Sequence, residues 1–127
     1  MGGWPRNDVW YRSSPEERQR NRLRRFIWWG VTANTYDKAT ALLPKLLDER
    51  LPELGIDFAT VFPTLGLLTI AYPDADLRRA ACRAMNRMTA EVFSGLRDRL
   101  EPVACIPIEH PGEAVDELRF AVTELGF

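Results

Sequence analysis

The side chains of this sequence that could carry chemistry are one histidine, two cysteines and a dense run of arginines. A zinc site needs three or four ligands. Cys82 and Cys105 are far apart, no Cys-x-x-Cys is present and His110 is the single imidazole, so these residues do not close such a site. Nor is there a cysteine paired with the base that a thiol nucleophile requires. Cys82 falls in a helical run and Cys105 in an apolar, strand-like one, where a free thiol acts as a small hydrophobe. Two core thiols fit a reducing cytoplasm, and a disulfide is the weaker reading. Asn86, inside an apolar helical run, reads as a structural hydrogen-bonder, because a buried amide needs partners. Arg50 is spaced to pair with Glu53 or Asp57.

Arginine is preferred over lysine throughout, and Arg18, Arg20, Arg22, Arg24 and Arg25 cluster tightly. Residues 1–50 carry ten Lys and Arg against six Asp and Glu, whereas residues 51–127 carry seven against twelve. The basic cluster reads first as a solvated helix face. Nucleic-acid binding would want a reading motif or base-stacking aromatics behind it, and none follows, so no nucleic-acid partner is expected. Trp28 and Trp29 fit core or subunit packing better than the mouth of a pocket. No run of apolar residues is long enough to span a bilayer, and the N-terminal stretch lacks the apolar core of a secretory signal. A cytoplasmic protein without a membrane partner is expected.

These groups need elements to position them. Ser14-Pro15-Glu16-Glu17 reads as a helix start with a capping box, and that helix is expected to stop before Gly30. Thr35 to Leu54 is helical in pattern but split at Pro44, with Gly55 as the left-handed residue that ends it. Ile56–Phe62 reads as a strand stopped by Pro63. Asp74 caps a long helix to about Ser94, whose stripe of Leu77, Ala81, Met85, Met88 and Val92 is expected to be buried. Val103–Ile108 reads as a second strand. Pro111–Leu125 is a last helix with Val115, Leu118, Val122 and Leu125 as its buried stripe, ended by Gly126 and Phe127. Strands alternating with amphipathic helices imply an α/β fold with parallel pairing. Two strands alone do not make a stable domain core, so the segment reads as a piece of a larger α/β unit.

From residue 30 onward the chain resembles the amidohydrolase-related branch of the metal-dependent amidohydrolase superfamily, which includes the aminocarboxymuconate-semialdehyde decarboxylases. Asp37-Lys38-Ala39-Thr40-Ala41-Leu42-Leu43-Pro44 is similar to that family's approach to its first barrel helix. Glu49-Arg50-Leu51-Pro52-Glu53-Leu54-Gly55-Ile56-Asp57-Phe58 resembles its passage into the second strand, and Pro63-Thr64-Leu65-Gly66-Leu67 the loop after it. Arg79-Ala80-Ala81-Cys82-Arg83-Ala84-Met85-Asn86 matches an Arg-Ala-x-Asn stretch of the next helix. Asp98-Arg99-Leu100, Ile106-Pro107-Ile108, Glu117-Leu118 and Leu125-Gly126-Phe127 complete the order.

The resemblance implies a partial (β/α)8 barrel over residues 30–127, about two parallel strands with flanking helices, behind an Arg-rich, aromatic extension at residues 1–29. Such barrels run to about 250 residues, so the resemblance implies the N-terminal half of a longer enzyme. It also implies a divalent metal, zinc or similar, in that full-length enzyme, held by His and Asp residues that cannot be placed in this chain. The metal would activate water or polarise a small organic substrate. The implied activity is hydrolysis, with non-oxidative decarboxylation close behind, and this chain alone is expected to be inactive. Barrel enzymes place functional residues just after strand ends, which selects Thr64, Glu109 and His110 as candidate substrate contacts. Against that role, Thr64 also suits a turn, Glu109 a surface carboxylate and His110 a helix N-cap. A homo-oligomer is compatible with the sequence. The other function class is an autonomous small α/β interaction module that uses the Arg-rich helix as its contact surface.

Overall fold

The computed structural model describes residues 12–22 and 33–127. The chain divides into two compact units, Met1–Leu42 and Leu43–Phe127. In the first unit, α1 spans Pro15–Arg20 and α2 spans Thr35–Thr40. The capping box of α1 is formed: the Glu17 amide donates to Ser14 Oγ at 3.2 Å and the Ser14 amide to a Glu17 carboxylate oxygen at 2.8 Å. The helix ends earlier than its pattern suggests, at Asn21, and Arg22 takes a left-handed φ of 50°. No residue of α1 is buried, and the local bonds of so short and polar a helix stabilise it only marginally. Residues 23–32, with Arg24, Arg25, Trp28 and Trp29, lie outside the described residues. Asn34 caps α2 by accepting from the Asp37 amide at 2.8 Å.

The second unit carries α3 (Pro44–Arg50), β1 (Ala59–Val61), a 3-10 turn (Gly66–Ala71), α4 (Ala75–Val92), β2 (Leu100–Pro102) and α5 (Pro111–Leu125). Pro44 opens α3 at its first turn, where its missing N–H costs nothing. Gly55, at φ 69°, ends the turns after α3, and the Ile56 amide returns to the Leu51 carbonyl at 2.9 Å. That left-handed position is one a side chain would strain. Asp74 caps α4 through the Leu77 amide at 2.7 Å, as its sequence position requires.

The strands pair in parallel, Ala59 with Leu100, Thr60 with Glu101 and Val61 with Pro102. The fold is therefore mixed α/β. Both strands are shorter than the apolar runs, and β2 lies ahead of the Val103–Ile108 run instead of within it. The reason is where the buried side chains fall. Leu51, Phe93 and Leu100 form the core, with Leu47, Ala59, Val61 and Leu96 packed on it. Leu100 is fully buried and opposite Ala59, which fixes the register at that point. Beyond Val103, whose amide donates to the Val61 carbonyl at 2.9 Å, the backbone meets a side chain and no longer a strand.

The largest departure from the sequence pattern is the facing of the long helices. α4 buries Arg78, Cys82, Asn86 and Thr89. Leu77, Met88 and Val92 of the expected core stripe are 54%, 53% and 49% exposed. α5 buries Glu117 and Ala121 and leaves Val115, Leu118 and Val122 about half exposed. A helix can bury a polar face only if every group on it is bonded. Here that condition is met, for no buried side-chain nitrogen or oxygen among the described residues lacks a partner.

Candidate functional site

Parallel strands end on the same side of their sheet, so the segments following β1 and β2 are where a site would be built. Thr64 lies in the turn between β1 and the 3-10 segment, half-buried. Glu109 and His110 lie in the turn before α5, both exposed, with the His110 amide donating to the Pro107 carbonyl at 3.0 Å. His110 occupies the N-cap of α5, but its side chain makes no capping bond. No hydrogen bond or ion pair joins Thr64, Glu109 and His110 to one another. They mark positions at strand ends, and the structure does not assemble them into a catalytic set.

What the structure does assemble, under those strand ends, is a polar seam between α4 and α5. Asn86, 1% exposed, bonds the backbone of Cys105 twice. Its Nδ2 donates to the Cys105 carbonyl at 3.0 Å, and its Oδ1 accepts from the Cys105 amide at 2.7 Å. The carboxamide thus takes the place a neighbouring strand would take for the segment that leads to Glu109. Asn86 Nδ2 also donates to Glu117 at 2.8 Å, and Glu117 accepts from Arg83 Nε at 2.8 Å. The Arg83 guanidinium lies 3.6 Å from the centre of the Phe120 ring, which α5 presents next to Glu117.

One helical turn away the motif repeats. Arg78, 3% exposed, holds both Glu113 oxygens at 2.8 Å and also donates to the Tyr72 carbonyl at 2.5 Å. A planar guanidinium matches a carboxylate in two parallel bonds, which fixes orientation as well as distance. Sequence reading missed both pairs. The signal was present in the i, i+4, i+8 spacing of Arg78, Cys82 and Asn86, matched by Glu113 and Glu117 at i, i+4. Arg50 does pair with Glu53, at 2.8 Å.

Arg78 holds the Glu113 carboxyl below its ordinary value of 4.5, first through the hydrogen bond and then through charge. A carboxyl whose folded value is depressed adds stability above the unfolded value and loses it as pH falls through the folded one. The stability gap between the native chain and Glu113→Gln therefore narrows between about pH 7 and about pH 3. Urea midpoints of both chains at the two pH values measure it, and a gap that stays constant would refute the assignment.

The thiols sit between these layers. Cys82 is fully buried with the Thr69 hydroxyl 3.5 Å from its sulfur, and Cys105 is 4% exposed. Burial raises both, Cys105 to about 11, so each is a neutral thiol at physiological pH and no nucleophile. Among the described residues, no group of three or more His, Cys, Asp and Glu side chains is placed to hold a metal ion.

No family model, curated protein or solved structure matches this chain. Among the described residues no helix is long and apolar enough to cross a membrane.

Proposed function

We propose that the chain is a section of a metal-dependent hydrolase of the amidohydrolase-related kind, contributing a strand–helix–strand–helix part of a (β/α)8 barrel. One observation supports this reading above the others. A parallel strand pair is joined to two helices whose apolar stripes, Leu77/Met88/Val92 and Val115/Leu118/Val122, face outward uncovered. In a barrel, neighbouring strand–helix units cover such surfaces. The described residues do not fit the metal, so in this reading its ligands belong to other parts of the enzyme. In this reading Thr64, Glu109 and His110 contact a small organic substrate at the strand ends, and the seam around Asn86 fixes the backbone on the way to the last two. The reaction is hydrolysis, with non-oxidative decarboxylation the other chemistry of the same scaffold. Two buried neutral thiols suit a reducing compartment, and we place the protein in the cytoplasm.

The contact-module reading keeps one observation on its side: α1 buries nothing and leaves Arg20 exposed. A single experiment separates the two. The coding sequence on both sides is read, and the polypeptide of the full open frame is expressed and assayed for bound divalent metal and metal-dependent turnover. An upstream His-x-His after an apolar run, with metal-dependent cleavage of small amides or carboxylates, bears out the enzyme. A frame closed closely on both sides, or a longer polypeptide that binds no metal, overturns it.

A further inference from the structure

The two outer edges of the β1–β2 sheet are not equivalent. In the ladder, Ala59 donates to the Arg99 carbonyl and Val61 accepts from the Val103 amide, both at 2.9 Å, so the odd-numbered residues of β1 face β2. On the far side of β2, the Leu100 amide is taken by the Leu96 carbonyl at 2.8 Å and Pro102 has no N–H to offer. That edge offers no N–H at Leu100 or Pro102. The amides and carbonyls of Phe58, Thr60 and Phe62 point to the free edge of β1, and none of them has a hydrogen-bond partner among the described residues. An open row of backbone donors and acceptors is a template for another strand, and folded proteins ordinarily block it with charge, proline or cover. No charged residue occurs from Phe58 to Leu68.

We infer that this edge pairs with the same edge of a second copy of the chain, antiparallel, about a two-fold axis at Thr60. The inference does not rest on the barrel reading and competes with it for this edge, which a barrel would pair with a neighbouring strand. In that register Thr60 faces its own copy and Phe58 faces Phe62 of the other, each opposed pair exchanging both N–H···O bonds. Phe58, Thr60 and Phe62 share one face of the strand, opposite Ala59 and Val61, so two aromatic pairs flank a threonine pair. Aromatic–aromatic and Thr–Thr neighbours are favourable cross-strand pairs. The charges are compatible as well: the exposed Asp57 carboxylate falls opposite Pro63 of the other copy, and no carboxylate meets another.

The area is also adequate. Phe58 and Phe62 are 55% and 66% exposed, and Leu54, Ile56, Leu65 and Leu67 at the two ends of the edge are 37–57% exposed. At roughly 100 Å² each, about half of what a large side chain can bury, these residues supply about 600 Å² per copy. With the strand backbone this approaches the ~800 Å² per partner of a standard interface. A self-complementary patch of this kind closes as a two-fold dimer and does not propagate.

Sedimentation velocity of the whole chain over a concentration series tests the pairing. A dimer is expected, and Thr60→Pro should move the monomer–dimer midpoint at least about tenfold higher, because each copy loses an edge N–H. The Thr60 N–H points away from β2, so proline there leaves the β1–β2 ladder intact. Thr60→Lys and Thr60→Glu chains should each be monomeric, since like charges would meet on the axis, and should form a heterodimer when mixed. A native chain that stays monomeric up to ~100 µM overturns the proposal, well above the micromolar affinities of ordinary interfaces. So does a dimer indifferent to Thr60→Pro, which would point to another surface such as the α4 and α5 stripes. Failure of the Lys and Glu chains to associate overturns it too, and that arm stands even if the proline variant does not fold.

Discussion

Asn86→Ala should destabilise the chain by about 3–5 kcal/mol, the largest loss from any single truncation of the polar seam. The substitution leaves the Cys105 amide and carbonyl without partners in a buried site, and Glu117 keeps only Arg83. Each buried group left unsatisfied costs about 1–3 kcal/mol, and alanine offers nothing in return. Asn86→Asp separates the bonding from the packing. The introduced carboxylate can still accept from the Cys105 amide but confronts the Cys105 carbonyl and the Glu117 carboxylate. At neutral pH this variant should be no better than alanine. As pH falls and the introduced carboxyl gains a proton it can donate once more, so its standing relative to Asn86→Ala should improve. Urea denaturation of the three chains at about pH 7 and about pH 5 measures this. A loss below about 1 kcal/mol in Asn86→Ala would mean that the carboxamide is solvated and that the segment after β2 is held by something else.

Gly66→Ala should cost about 2–3 kcal/mol, an overpacking penalty and not a conformational one. A methyl at this position would collide with the Cys105 sulfur and stand 3.2 Å from both Met85 Cγ and Pro63 Cβ. The sulfur is held by the backbone that Asn86 pins, so it has little freedom to retreat. Removing the sulfur should relieve the clash. Cys105→Ala alone leaves a small cavity, but the Gly66→Ala/Cys105→Ala chain should be more stable than the sum of the two single losses implies. The coupling should be at least about 1 kcal/mol, as expected for groups in direct contact. Additive losses would show that the 3-10 segment and the Cys105 backbone do not meet as described.

The local features of the fold were readable in the sequence because they depend on neighbours in sequence. The Ser14–Glu17 capping box, the Asp74 cap, the split of the helical stretch at Pro44 and the left-handed Gly55 and Gly126 all formed where expected. The parallel pairing followed from element order alone. Helix facing was not readable, because it depends on partners far away in sequence. The apolar periodicity of α4 argues for burying Leu77, Met88 and Val92, and periodicity carries no record that Glu113 and Glu117 wait on another helix for Arg78 and Arg83. The exact position of β2 was missed for a related reason. Val103–Ile108 has strand composition, but Asn86 meets its backbone where a strand would have been. Of the candidate site, sequence located His110 at its N-cap, and the seam that organises the surrounding backbone emerged only in three dimensions.

The way α4 is turned, polar stripe inward and apolar stripe outward, underlies both the seam and the functional reading. Residue-resolved chemical modification of the folded 127-residue chain, read by mass spectrometry, tests that facing directly. Met88, 53% exposed, should oxidise in the native state at a rate near that of the unfolded chain. Cys82, fully buried one face away on the same helix, should resist alkylation until the chain is denatured. A protected Met88 beside a readily alkylated Cys82 would mean that the apolar stripe is the buried one, and would contradict the seam and the functional reading built on it.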